Sequence, residues 1–332
     1  MGDAGPFDPA RFDPSRASPE LRAAVAKLEA MRMPMLDHVL SPAEARELRK
    51  AGMLPGLVPP PPPPRRAPLV RTIPGPGGPL ALRCFQPAKG RPRATMLHIH
   101  GGGWFTGSAD MMDVALEARA DALGIAVASV EYRLAPEHPY PAAPDDCETA
   151  AAWLAKNARA ELGADLALVG GESAGGHLSA VTVVRMRDRH GFSFAGANLV
   201  YGVYDLGGVP SHSQYDGRNL LLDGPSLRIA TRMFVPDESL WRSPDVSPLY
   251  ADLSRLCPAL FTIGTFDPLR DHTLFMYAEW IAQGSPAEIQ IFPGATHGFD
   301  MFPCPEQIQA HATIHAFLAR CLDAAENRPS RI

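Results

Sequence analysis

From Ala94 onward short apolar runs alternate with amphipathic stretches, and this alternation constrains the fold more than any other feature of the chain. "ATMLHI", "IAVASV", "LALVG", "ANLVYGV", "ALFTIG" and "AEIQIF" are apolar throughout or nearly so, the pattern of strands buried on both faces. Between and after them lie "ADMMDVALEARADALG", "DDCETAAAWLAKNARAELG", "GGHLSAVTVVRMRDRHG", "RDHTLFMYAEWIAQG" and "EQIQAHATIHAFLARCLDAA", which read as helices. Gly124 and Gly163 stand where the first two of these helices should stop, and Asp145 and Glu148 put acid at the start of the second. Strands alternating with helices predict an α/β fold, a mostly parallel sheet covered on both faces. In such sheets function sits beyond the carboxyl ends of the strands.

The first 70 residues differ. "SPELRAAVAKLEAM" predicts a helix with Ser18 as N-cap, Pro19 at its first position and Leu21, Val25 and Leu28 on one face. In "SPAEARELRKAGM", Ser41, Pro42 and Glu44 fit a capping box and Gly52 a C-terminal stop. Six consecutive prolines, Pro59 to Pro64, then predict a stiff polyproline II connector. "LVRTI" and "LALRCF", separated by "PGPGGP", read as a hairpin. Residues 206–243 interrupt the later alternation with a stretch too long for an ordinary loop, containing a short helix near Pro225 to Phe234. The expected organisation is a helical cap segment with a proline-rich linker over 1–70, then an α/β domain over 71–332 with a cap insertion at about 206–243.

Charge and cysteine content narrow the function. A net charge of −5 argues against a general nucleic-acid binder. No apolar run reaches the ~18 residues of a membrane span, and the start has neither the basic nor the apolar region of a secretory signal. Five scattered cysteines, none spaced as C-x-x-C, predict free buried thiols and a reducing, cytoplasmic setting.

"GESAG", Gly171 to Gly175, falls between a predicted strand and a predicted helix. G-x-S-x-G in that context makes a sharp turn that exposes a nucleophilic serine. By composition the pattern alone arises in about one chain in eight, so the context matters more than the match. A phosphate loop is the rival, but no G-x-x-x-x-G-K-[ST] or G-x-G-x-x-G is present, and Glu172 would repel a phosphate. "HGGGW", His100 to Trp104, follows another strand; H-G-G-G arises by chance in only about one chain in 140. Its glycines can turn N–H groups toward a developing oxyanion.

A serine needs a base, and the base an orienting carboxylate. Asp267 lies just beyond "ALFTIG", and His297 in the loop beyond "AEIQIF". The order Ser173, Asp267, His297 is one of the known triad orders. Asp271 is a second candidate acid, placed in the first turn of the following helix. His272 reads as a helix-surface residue, and His311 and His315 as helix positions. His177 sits on the helix after Ser173, out of reach of the Asp267 loop. His98 and His100 share a strand face without a neighbouring acidic cluster, so no metal site is expected.

These motifs, with "YRLAPEHPYPA" (Tyr132 to Ala142), "SPLYADL" (Ser247 to Leu253), "DPLRD" and "HGF", resemble the bacterial hormone-sensitive-lipase-like esterases over about residues 70–320. The resemblance implies an α/β-hydrolase fold with a mainly parallel eight-stranded sheet, no cofactor, and carboxylester hydrolysis. It implies Ser173 as nucleophile, Asp267 as orienting acid and His297 as base. It implies oxyanion N–H groups from Gly102, Gly103 and Ala174, with His100 bracing the glycine loop. The family usually writes G-D-S-A-G or G-T-S-A-G; Glu172 departs from that and is expected beneath the turn, accepting hydrogen bonds without joining the proton relay. Trp104, Phe105, Tyr201, Phe299 and the cap are expected to wall a pocket for small esters of short to medium chain. The resemblance also makes a homodimer through the edge around "AEIQIF" an expectation. Two readings stay open on the same fold: hydrolysis of amides, lactones or carbamates, and a non-catalytic ligand receptor, which the presence of His297 disfavours.

Overall fold

A computed structural model describes residues 5, 7–31, 36–51, 63–218 and 220–327. The expected stop at Gly52 and the first four prolines of the polyproline run lie outside the described residues.

Two helices precede the sheet. Helix α1 (Pro19–Ala30) is capped by the Ser18 hydroxyl, which accepts from Leu21 N–H, and buries Leu21, Val25 and Leu28. Helix α2 (Pro42–Ala51) opens with the reciprocal capping box of Ser41 and Glu44. Strands β1 (Leu69–Gly75) and β2 (Gly78–Phe85) form the expected hairpin. Then follow β3 (Thr95–Ile99), α3 (Asp113–Leu123), β4 (Ala126–Val130), α4 (Ala142–Leu162), β5 (Leu166–Glu172), α5 (Ala174–His190) and β6 (Gly196–Val200). The interrupting segment carries α6 (Gly224–Phe234), and the chain ends with β7 (Ala259–Gly264), α7 (Arg270–Ala282), β8 (Ala287–Phe292) and α8 (Pro305–Glu326).

The eight strands form one sheet in the order β1-β2-β4-β3-β5-β6-β7-β8. Strand β2 runs antiparallel to both its neighbours and the remaining pairs are parallel. Every residue of β3, β4, β6 and β7 is buried, as helices on both faces require. From β3 the chain steps to β4 on one side and then back to β5 on the other. That reversal opens a crevice between the ends of β3 and β5, where such sheets bind ligands.

Three boundaries differ from the sequence expectation. Helix α4 begins at Ala142, three residues before the acidic pair, and α3 begins only at Asp113 after a turn. Strand β6 stops at Val200, because Tyr201 adopts φ +35° and turns the chain away from the sheet.

Helix α5, which carries the serine turn, is fixed from its far end by a charge cluster. The buried Arg185 guanidinium meets Asp145 and Glu148 of α4 and Asp245 of the loop before β7. Arg185→Ala would remove the buried cation among three carboxylates and leave a void, with the exposed Arg189 and His190 still pairing with Glu148 and, for Arg189, Asp245. It is expected to lower unfolding free energy by about 2–3 kcal/mol, a figure at the low end for a buried pair because the partners keep some solvent. Urea unfolding checks this; a change under about 0.5 kcal/mol would contradict it.

Candidate active site

The turn at Ser173 is a backbone problem before it is a chemical one. Strand β5 must reverse into α5 while pressed against the end of β3. Ser173 sits at φ +59°, a region costly for a non-glycine residue. A Cβ on Gly171 would lie 2.1 Å from the Ile99 carbonyl oxygen, and one on Gly175 only 1.9 Å from it. Only glycine allows this approach. The Ser173 N–H donates to Val200 O at 2.9 Å, tying the turn to β6.

The candidate acid and base, Asp267 and His297, arrive on two laced loops. Phe266 N–H donates to Ala295 O at 2.9 Å, and Gly294 N–H to Thr265 Oγ1 at 2.8 Å. His297 Nδ1 lies 2.8 Å from Asp267 Oδ2, and its Nε2 lies 2.9 Å from Ser173 Oγ. The carboxylate only accepts, so the ring proton belongs on Nδ1 and the Nε2 lone pair faces the serine hydroxyl. Asp267 is fully buried, and its other oxygen accepts from Leu269 N–H at 2.8 Å. Asp271 instead accepts from Ser211 N–H and from the Arg270 guanidinium, and makes no bond to His297.

The glycine loop closes the other side. Gly102 adopts φ +117° with its Cβ position 2.2 Å from Thr106 O, so a side chain is excluded there. The N–H groups of Gly102, Gly103 and Ala174 donate to nothing else among the described residues. His100 donates from Nδ1 to Gly101 O at 2.8 Å and stacks on Tyr132, whose hydroxyl donates to His100 O. Trp104 stacks on Phe234 of α6 and donates to His177 Nδ1, while His177 Nε2 donates to Val246 O.

Together these groups open into one apolar cavity of about 370 Å³. Trp104, Phe105 and Tyr201 line it, joined by Leu48 of α2 and by Leu222 and Leu227 from the interrupting segment. Phe299 does not line it: its ring packs 4.8 Å from Phe292, beneath Tyr201, because the turn after His297 points it into the core.

Glu172 is buried, with Oε2 2.8 Å from His98 Nε2; His98 Nδ1 in turn meets Ser129 Oγ. Burial alone would raise its pKa, but the charges of His98 and Arg119 and the His98 hydrogen bond bring it down. His272 is not on the surface as its helical position suggested. It is fully buried, its Nδ1 accepts from the N–H groups of Tyr204 and Asp205, and its Nε2 lies 2.6 Å from His212 Nε2. One residue the sequence offered no sign of is Arg49 of α2. It donates to Phe105 O, to Ala135 O and to both oxygens of Glu137.

The chain is similar to known proteins in sequence and in fold. Residues 96–301 match the family model described as alpha/beta hydrolase fold. The chain belongs to the hormone-sensitive-lipase-like esterase family of α/β hydrolases. Carboxylesterase NlhH of Mycobacterium tuberculosis is 37% identical to this hydrolase over 227 residues, covering 66% of it and 70% of NlhH. Carboxylic ester hydrolase LipN of the same organism is 34% identical over 69% of this chain, which spans 63% of LipN's own length. Among solved structures, the hyperthermophilic esterase of Pyrobaculum calidifontis superposes with a TM-score of 0.80 at 32% identity, covering 92% of this hydrolase and 98% of that chain.

The buried histidines give this hydrolase a pH signature. Burial lowers the pKa of His100, His177, His212 and His315 to about 4, and holds that of His272 well below the usual histidine value. Unfolded, each would titrate near 6.5. Their contribution to stability is therefore complete above about pH 6.5 and is lost as pH falls toward 4, because only the unfolded chain takes up the protons. Each costs about 1.4 kcal/mol per pH unit within that window. Urea midpoints are expected to drop steeply between about pH 6.5 and 4.5; a flat profile there would contradict the neutral assignments.

Proposed function

We propose that this protein is a serine carboxylesterase acting on small, apolar esters of short to medium acyl chain. The observation that carries the reading is the continuous line Asp267–His297–Ser173, with both contacts at hydrogen-bond length and the serine opening into an apolar cavity. Ser173 Oγ attacks the ester carbonyl while its proton passes to His297 Nε2. The oxyanion turns toward the free N–H groups of Gly102, Gly103 and Ala174. His297 then gives the proton to the leaving alcohol, and water, deprotonated by the same base, releases the acid. Asp267 holds the ring tautomer and stabilises the imidazolium. The names of the relatives support ester hydrolysis, and NlhH and LipN are both named for it.

The cavity supports the substrate class. Leu36, Leu40 and Leu48 approach it from the first segment, and Leu221, Leu222 and Leu227 from the interrupting one, so both stretches act as one cap. Among the described residues no helix is long and apolar enough to cross a membrane. Five buried free thiols support a reducing compartment, the cytoplasm. We further propose a homodimer along β8, since β8 is a terminal strand of the sheet and the neighbouring α7 exposes Phe275 and Ile281. Light scattering should return twice the chain mass of 35.7 kDa; the mass of a single chain would remove the dimer.

A panel of p-nitrophenyl esters from acetate to palmitate tests the activity. The maximum is expected at or below the eight-carbon ester, and Ser173→Ala should lower kcat by at least about a thousandfold with the fold intact by circular dichroism. More than a few per cent residual turnover in that variant would overturn the assignment, and a maximum at palmitate would overturn the substrate class.

A further inference from the structure

Behind the base lies a buried polar cluster that the proton relay does not use. Tyr201 follows β6 at φ +35°, held there by its N–H bond to Thr262 O at 2.8 Å. Its ring stands against the His297 imidazole, with centroids 4.6 Å apart and planes at 60°. Its hydroxyl donates to Asp300 Oδ1 at 2.7 Å, and both side chains are buried. Asp300 belongs to the short turn Phe299–Met301, which begins two residues after His297. One turn therefore carries both the base and the anchor of the ring that packs on the base.

Asp300 does not stand alone. Arg119 of α3 is buried within electrostatic range of Glu172 and Asp300; burial pulls its pKa down, and the two carboxylates pull against that. Its Nε and Nη1 make no hydrogen bond among the described residues. Burial pushes the Asp300 carboxyl pKa up, and the Tyr201 hydrogen bond pulls against that. A tyrosine in a strained backbone conformation, anchored by a buried acid, is expensive to maintain by chance.

We propose that Tyr201, anchored through Asp300, is a positioning residue for His297. The bond to Asp267 fixes one end of the imidazole but leaves its tilt open. The Tyr201 ring supplies the wall that sets the tilt and so aims Nε2 at Ser173. A wall helps only if it cannot rotate away, and the hydroxyl bond to Asp300 prevents that. The loss of such aim appears in kcat, because misplacement of reacting groups raises the barrier without weakening ground-state binding.

This inference rests on the esterase reading, and its test separates the two. Tyr201→Phe, Asp300→Ala and the double variant are compared on p-nitrophenyl butyrate, well below their melting temperatures. Each single variant is expected to lose about fivefold or more in kcat with KM within about twofold. The double variant should lose no more than the worse single one, since both remove the same bond. Asp300→Asn keeps an accepting oxygen and should recover at least about half of the logarithmic loss. Unchanged kcat in Tyr201→Phe, losses that multiply in the double variant, or a rise in KM alone would each overturn the proposal. The rate of Ser173 labelling by a p-nitrophenyl phosphonate reads the base without any ester turnover. A wild type that labels but hydrolyses no ester would sink the substrate reading, and the labelling rates of the variants would still decide this one. A wild type that does neither would overturn both.

Discussion

The Ile99 carbonyl occupies the space in which a Cβ on Gly171 or Gly175 would have to lie. The rest of the site depends on that contact. It lets β5 turn into α5 directly against the end of β3, and so brings the serine beside the glycine loop that leaves β3. Ser173 and the free N–H groups of the glycine loop become neighbours because two backbones touch. The strain at Ser173 is part of the same arrangement, since a relaxed turn would withdraw the hydroxyl from the crevice.

Around that contact the polar groups divide into two kinds. One kind would, in the proposed mechanism, meet a charge that appears during reaction: the free N–H groups of the glycine loop and the buried Asp267. The other is built to stay neutral. His177 and His272 use one ring nitrogen as donor and the other as acceptor, a pattern available only to the uncharged ring. These rings are structural pegs. His177 joins Trp104 to the Val246 loop, and His272 joins the segment after Tyr204 to His212 in the interrupting stretch.

Much of this was legible in the sequence, for physical reasons that can be named. Fully buried strands leave apolar runs and helix stops leave glycines, so the order of elements was readable apart from end effects at α3, α4 and β6. The candidate triad was readable because each member lies just past a strand, where the fold places its chemistry. Contacts set by tertiary packing were not readable. His272 looks like an exposed helical residue because nothing local shows that backbone N–H groups of Tyr204 and Asp205 reach its ring. Phe299 looks like a pocket wall because its neighbour His297 faces the crevice, yet the left-handed Gly298 between them redirects the chain. The oddity of Glu172 was visible, but its partners His98 and Arg119 come from two other elements.

Arg49 holds three separate things at once: a carbonyl of the glycine loop, the Ala135 carbonyl and the Glu137 carboxylate. The first segment of the chain is thus not an interchangeable cover. A chimera that exchanged this segment for that of another family member would strip two carbonyls and a carboxylate of their donor, right beside the loop that presents the free N–H groups. Diversification of the pocket is freer on the α6 side, where the wall meets the cavity mainly through side chains such as Leu227 and Ala230. The two halves of the lining therefore differ in evolvability, one being coupled to the chemistry and the other open to variation.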